Sequence, residues 1–251
     1  MRKPVMAGNW KMFKSAQQTR DYFQRFLPLV ENAGDREIVV CPPFPCLAAA
    51  VEATAGSKTA IGGQNLYWVS EGAFTGEVSA PMLVDVGCRW VIVGHSERRQ
   101  YFQETDDNVR KRTEAALWAG LTPIVCVGET LEQRESGRTE EVLEAQFHGG
   151  LRGLSPEQFA ALTIAYEPVW AIGTGKTATP EMAEEAHCRI RALAELHFGA
   201  PAASSLRILY GGSVKPDNAA SLMAKPDIDG VLVGGASLDP QGFAAIVNCE
   251  A

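Results

Sequence analysis

The chain has 251 residues, of which 46% are hydrophobic and 21% charged, the balance of a soluble globular protein built as one large α/β domain or two small ones. A net charge of -7 with no basic block to offset it argues against general nucleic-acid binding, and leaves any anionic ligand to be held by local geometry. No apolar run is long enough to span a bilayer, and the N-terminal MRKPVMAGNWK has no signal-peptide apolar region, so a cytoplasmic protein is expected.

In chain order, the first expected strand is Val5 to Trp10, which ends in the polar run Asn9, Trp10, Lys11. A helical stretch from Ala16 to Val30 follows, then strands Glu37 to Cys41 and Thr59 to Gly63, the latter ending in Gln64 and Asn65. Trp90 to Val93 is the fourth strand and runs into Gly94, His95, Ser96, Glu97. The helix Asp107 to Ala119 leads to strand Pro123 to Val127, which carries Cys126, and the helix Thr139 to Phe147 leads to strand Leu162 to Tyr166. Glu167 is the first charge after that strand, and Pro168 keeps it extended. Gly173 and Gly175 then allow the following segment to move between short hinges. The helix Pro180 to Phe198, strand Leu206 to Tyr210, helix Pro216 to Met223, strand Gly230 to Val233 and helix Pro240 to Val247 complete the chain.

Strand and helix alternate without a break in composition, linker or low-complexity segment, which predicts a parallel sheet covered by helices. The strands are continuous apolar runs, as burial on both faces requires. About eight such units in one chain predict a single-domain (β/α)8 barrel over residues 1–251. A doubly wound open sheet competes, but it would normally carry fewer strands, and the first turn lacks GxGxxG. In the barrel, the residues beyond the C-terminal strand ends share one rim. There they place a cation (Lys11), a histidine (His95), a carboxylate (Glu167) and the glycine pairs Gly211–Gly212 and Gly234–Gly235. Bare backbone after the last two strands is the usual phosphate cradle of this architecture. Taken singly, each has a plainer reading: a solvated surface lysine, a core histidine bonded to a carbonyl, a strand-capping glutamate, tight turns. His95 immediately precedes an expected helix start at SERRQYF, where a helix N-terminus disfavours imidazolium.

The six cysteines (Cys41, Cys46, Cys88, Cys126, Cys188, Cys249) show no CxxC spacing and read as reduced, mostly buried thiols. The four histidines (His95, His148, His187, His197) show no ligand spacing, so a metal site is not expected.

Seven motifs in order, GNWKM (Gly8 to Met12), QN (Gln64, Asn65), GAFTGEVS (Gly72 to Ser79), VGHSERR (Val93 to Arg99), AYEPVWAIGTGK (Ala165 to Lys176), YGGSV (Tyr210 to Val214) and LVGGASL (Leu232 to Leu238), resemble the triosephosphate isomerase family along essentially the whole chain. The resemblance implies a TIM barrel that interconverts dihydroxyacetone phosphate and glyceraldehyde 3-phosphate through a cis-enediolate, without a cofactor, within glycolysis and gluconeogenesis. On the matching positions, Glu167 is the base, His95 the neutral electrophile and Lys11 the stabiliser of enediolate and phosphate charge, with Asn9 donating beside it. The family is itself the standard illustration of such pKa tuning. Gly173, Ser213, Gly234 and Gly235 match phosphate-binding positions, and Glu97 and Cys126 match supporting ones. The segment from Pro168 to Ala178 matches a lid, and Tyr210 and Ser213 match its latch. The Gly72 to Ser79 loop matches one that enters a partner subunit, with Thr75 reaching across, which implies a homodimer.

Two rivals differ in class. An aldolase-type barrel would use Lys11 as a Schiff-base nucleophile. A catalytically silent barrel would serve binding or adhesion, which intact Lys11, His95 and Glu167 argue against.

Overall fold

A computed structural model describes residues 2–172 and 177–250 of the chain. Eight parallel strands close on themselves in sequence order: β1 Val5–Asn9, β2 Glu37–Cys41, β3 Thr59–Gly63, β4 Trp90–Val93, β5 Thr122–Val127, β6 Thr163–Tyr166, β7 Arg207–Tyr210 and β8 Gly230–Val233. The last strand pairs with the first, Val5 opposite Gly230. A Cβ on Gly230 would lie 2.0 Å from the Val5 carbonyl oxygen, and the residue's φ is +151°. Only glycine lets the barrel close at this seam.

The continuous apolar strands divide by parity. Val5, Ala7, Val39, Cys41, Trp90, Ile92, Ile124, Cys126, Ala165, Leu209 and Leu232 form one buried cluster made of strand residues alone, which fills the barrel. Their neighbours Met6, Val40, Val91, Val93, Val125, Ile164, Ile208 and Val231 belong to the second cluster, shared with the surrounding helices. Each face therefore has its own core, and the pleat assigns every strand residue to one of them.

Helix ends differ from the sequence expectation where local chemistry intervenes. The first helix is Ala16–Phe26, started by a Ser15–Gln18 capping box; Pro28 turns the remainder into a 3-10 turn, Leu27–Leu29. Thr139–Leu151 runs four residues past the expected end, through Gly149 and Gly150. A Cβ on Gly149 would stand 2.7 Å from the Asp106 Cβ, so these glycines let the helix lie close against Asp106–Trp118. In the expected helix from Pro216, residues 216–218 form a turn, and the helix proper is Ala219–Met223. Pro180–Phe198 and Pro240–Val247 match the expectation. No described helix is long and apolar enough to cross a membrane.

Candidate active site

Parity also sets the floor and rim of the site. Two residues beyond the inward Ala7, Cys126, Ala165, Leu209 and Leu232 come Asn9, Gly128, Glu167, Gly211 and Gly234, in the register that faces the barrel axis. Asn9, Glu167, Gly211 and Gly234 line a cavity of about 300 Å³ at the C-terminal mouth, together with Lys11, His95, Gly212, Ser213, Gly235 and, at its floor, Leu232. The three expected catalytic side chains thus meet in one chamber, although 156 residues of sequence separate the first from the last.

Glu167 is 2% exposed. Oε2 accepts the amide N–H of Ser96 at 2.8 Å, and Oε1 lies 2.9 Å from the His95 Nε2. Full burial opposes its ionisation, but His95, the Ser96 amide and Lys11 outweigh that cost and hold its pKa below the ordinary carboxylate range. Glycines frame the group. A Cβ at Gly211 would stand 2.9 Å from the Glu167 Cγ, and one at Gly128 would fall 1.8 Å from its carbonyl oxygen.

His95 caps the short helix Ser96–Tyr101 in an unusual sense, since its Nδ1 accepts the amide N–H of Glu97 at 3.2 Å. Burial opposes protonation of the ring, and Glu167 and Glu97 override it, raising its proton affinity above the usual imidazole value. A second ring proton would have to sit on Nδ1, where an N–H already points. The neutral form of the ring therefore carries its proton on Nε2, which lies 2.9 Å from a Glu167 oxygen.

Lys11 has a positive φ of 52°, costly for a residue with a side chain. Two contacts hold it there. Its amide N–H donates to the Asn9 Oδ1 at 2.9 Å, and its carbonyl accepts from the Gln64 Nε2 at 2.8 Å, which also donates to the Cys41 carbonyl at 2.8 Å. The ammonium pairs with the Glu97 Oε1 at 2.5 Å. Glu97 thus supports the site from outside the cavity wall. The Cys126 thiol, fully buried in the barrel interior, lies against Glu167, and desolvation and that carboxylate keep it protonated.

The opposite wall is backbone. Gly234 and Gly235 open the 3-10 turn Gly235–Leu238, whose free amides suit an anion, and a Cβ on Gly234 would approach the Lys11 Cε at 3.5 Å. Ser213 is held by Asn218, whose side chain donates to the Ser213 carbonyl at 3.0 Å and accepts the Lys215 N–H at 2.8 Å. Gly173 lies outside the described residues. Thr75 is exposed on its loop and does not line this cavity.

Two supports escaped the sequence reading. Glu129 is fully buried beyond β5 and takes the hydroxyl of Tyr166 at 3.1 Å, the indole N–H of Trp170 at 2.9 Å and the guanidinium of Arg134 at 3.1 Å. It fixes both sides of Glu167. The Gln146 amide clamps Gly128 by bonds to its N–H and carbonyl, at 2.8 and 3.1 Å. In sequence, Glu129 before Thr130 reads as a solvated helix start; the hint was a pair of aromatic donors, Tyr166 and Trp170, on either side of Glu167. Among the described residues, the group with metal-ligating geometry is Glu184, Cys188 and Asp227, outside the cavity, and Asp227 is already paired with Arg191.

Comparison with known proteins agrees with this geometry. The family model for triosephosphate isomerase matches residues 4–250. The triosephosphate isomerase of Solibacter usitatus is 64% identical over 248 residues, covering 99% of this chain and all of that one. That of Moorella thermoacetica is 57% identical over 250 residues, with both chains covered in full. The crystal structure of triosephosphate isomerase from Bartonella henselae superposes with a TM-score of 0.88 at 38% identity over 97% of each chain. The chain belongs to the triosephosphate isomerase family.

Proposed function

We propose that this chain interconverts dihydroxyacetone phosphate and glyceraldehyde 3-phosphate by proton transfer through a cis-enediolate. The observation that carries the reading is the convergence of an ionised buried carboxylate, an imidazole and an ammonium on one small cavity with a glycine-lined wall.

Each group has a defined task. Glu167 takes a proton from the carbon next to the carbonyl, and the negative charge that leaves that C–H bond develops on the carbonyl oxygen. The Nε2–H of His95 donates there, and Lys11 stabilises the same charge, with the Asn9 side chain beside it. The proton held by Glu167 then returns to the adjacent carbon, while His95 moves a proton between the two oxygens. Glu167 must turn from Ser96 towards the substrate, and the missing Cβ of Gly211 leaves room for that movement. Ser213, Gly234 and Gly235, with Gly173 of the lid, take the phosphate, chiefly through backbone N–H groups. Ala178, at the far end of the lid, faces the hydroxyl of Tyr210. A coupled assay of isomerisation in both directions tests the reading; absence of turnover would reject it.

The proposed active form is a homodimer through the Gly72 to Ser79 loop, working in the cytoplasm. Its support is an apolar surface on the loops and short helices that follow β1, β3 and β4: Met12, Phe13, Phe74, Met82, Tyr101 and Phe102 are all exposed, Met12 by 93%. These strands are close neighbours in the barrel order, so the side chains gather on one side of the mouth. Thr75 then reaches across into the partner subunit. Sedimentation that returned a fully active monomer would reject the assembly.

A further inference from the structure

The charges lining the cavity and directly behind its wall do not by themselves favour an anion. The Lys11 ammonium is already paired with Glu97 at 2.5 Å, Glu167 is ionised, and His95 in its neutral form adds no charge. Lys11, Glu97 and Glu167 together supply one positive and two negative groups, in a chain of net charge -7. A phosphate dianion thus approaches both a site and a molecule of its own sign.

Among the described residues, Lys215 is the one lysine or arginine besides Lys11 that lines the cavity. It is exposed, and among the described residues it makes no ion pair. Its root is fixed. The Asn218 side chain binds the Lys215 N–H at 2.8 Å and the Ser213 carbonyl at 3.0 Å, which ties residues 213–215 to the turn at 216–218. Pro216 keeps Lys215 extended. A flexible ammonium is thereby anchored two residues from Ser213, at the end of the cavity where the glycine amides converge.

We propose that Lys215 captures the phosphate of the incoming substrate, supplying the unneutralised positive charge that Lys11 lacks. This rests on the isomerase reading for the identity of the substrate, and on the cavity alone for the capture of a phosphate. The residue acts on encounter and binding, and proton transfer stays with Glu167, His95 and Lys11. Because the ammonium is in water, its reach is about one Debye length, roughly 8 Å at physiological ionic strength.

The test is the salt dependence of kcat/KM for the full-length chain and its Lys215→Met, Lys215→Glu and Lys215→Arg variants. At low ionic strength Lys215→Met lowers kcat/KM by about two- to fivefold and Lys215→Glu by more, since one charge supplies only part of a steering field. Lys215→Arg restores it, kcat stays close to that of the unmodified chain, and the deficits fade as salt is added. Calorimetric titration with inorganic phosphate, which needs no turnover, shows the same order of affinities and the same fading. A Lys215→Met variant with unchanged kcat/KM, salt slope and phosphate affinity would overturn the proposal while leaving the isomerase reading standing. Conversely, a chain inactive on triose phosphates whose phosphate affinity still follows the charge at residue 215 would reject that reading and keep the capture site.

Discussion

The two ends of the barrel both carry buried charge, and they use it in opposite ways. At the N-terminal end, Asp229 precedes β8 and accepts the Ile208 N–H at 2.9 Å, while Arg2 and Arg191 bind its two oxygens. Arg191 also donates to the Ala203 and Leu206 carbonyls at 2.8 Å each, and Arg2 to the Pro226 carbonyl at 2.7 Å. Arg2, Arg191 and Asp229 each have fixed partners, and the network ties the starts of β1, β7 and β8. At the C-terminal end, the groups that the proposed reaction uses have partners of a different kind: Glu167 bonds to Ser96, which it leaves in the proposed mechanism, and Lys11 is paired with Glu97 in a strained backbone conformation. One end uses buried charge to fix the fold, and the other holds it ready for substrate.

The contrast can be broken from either side, and four experiments do so in order of expected effect. Glu167→Gln keeps the shape and removes the base, so kcat falls by about 10²- to 10⁴-fold or more with little change in thermal midpoint. Steady-state kinetics beside calorimetry checks both halves of that statement. Asp229→Ala leaves Arg2 and Arg191 without their shared carboxylate and costs about 3–5 kcal/mol of stability. Denaturant titration measures it, and the molecules still folded keep their kcat.

His187 gives a pH-dependent comparison. It lies outside the barrel wall, fully buried, with Nδ1 3.0 Å from the Asp227 carbonyl oxygen, and burial pushes its pKa down to about 4. The unfolded chain binds that proton near pH 6.5, before the folded chain can, so its contribution is complete above 6.5 and is lost as pH falls towards 4. The size of the loss is up to about 3 kcal/mol. His187→Asn should flatten the stability profile in that window, and an unaltered slope would show that another group sets it. The smallest effect is expected at Gly211→Ala, where the added methyl presses on the Glu167 Cγ. Displacing the base by a fraction of an ångström lowers kcat by about 10- to 100-fold without unfolding the barrel.

How much of this was legible in the sequence follows from the pleat. A parallel barrel gives each apolar strand two buried faces, so runs such as IVVC and WVIV announced strands but not which residues faced inward. Glu167 and Asn9 could be singled out because each breaks an apolar run at the strand's end. Lys11 was placed at the right rim, but its left-handed backbone and the Gln64 clamp depend on a contact across 53 residues that no local pattern encodes. Glu129 was missed for the complementary reason: its three partners come from Tyr166, Trp170 and Arg134, and alone it looks like a solvated loop acid. Helix ends failed where packing overrode propensity, as at Gly149 and Gly150.

The most direct test of the central claim, that Glu167 moves a proton between substrate and protein, is isomerisation in deuterated water followed by NMR of the triose phosphates. We predict deuterium at the carbons next to the carbonyl in product and in recovered substrate, with Glu167→Gln suppressing both incorporation and turnover. Rapid conversion with no deuterium at either carbon, or undiminished exchange in Glu167→Gln, would contradict it.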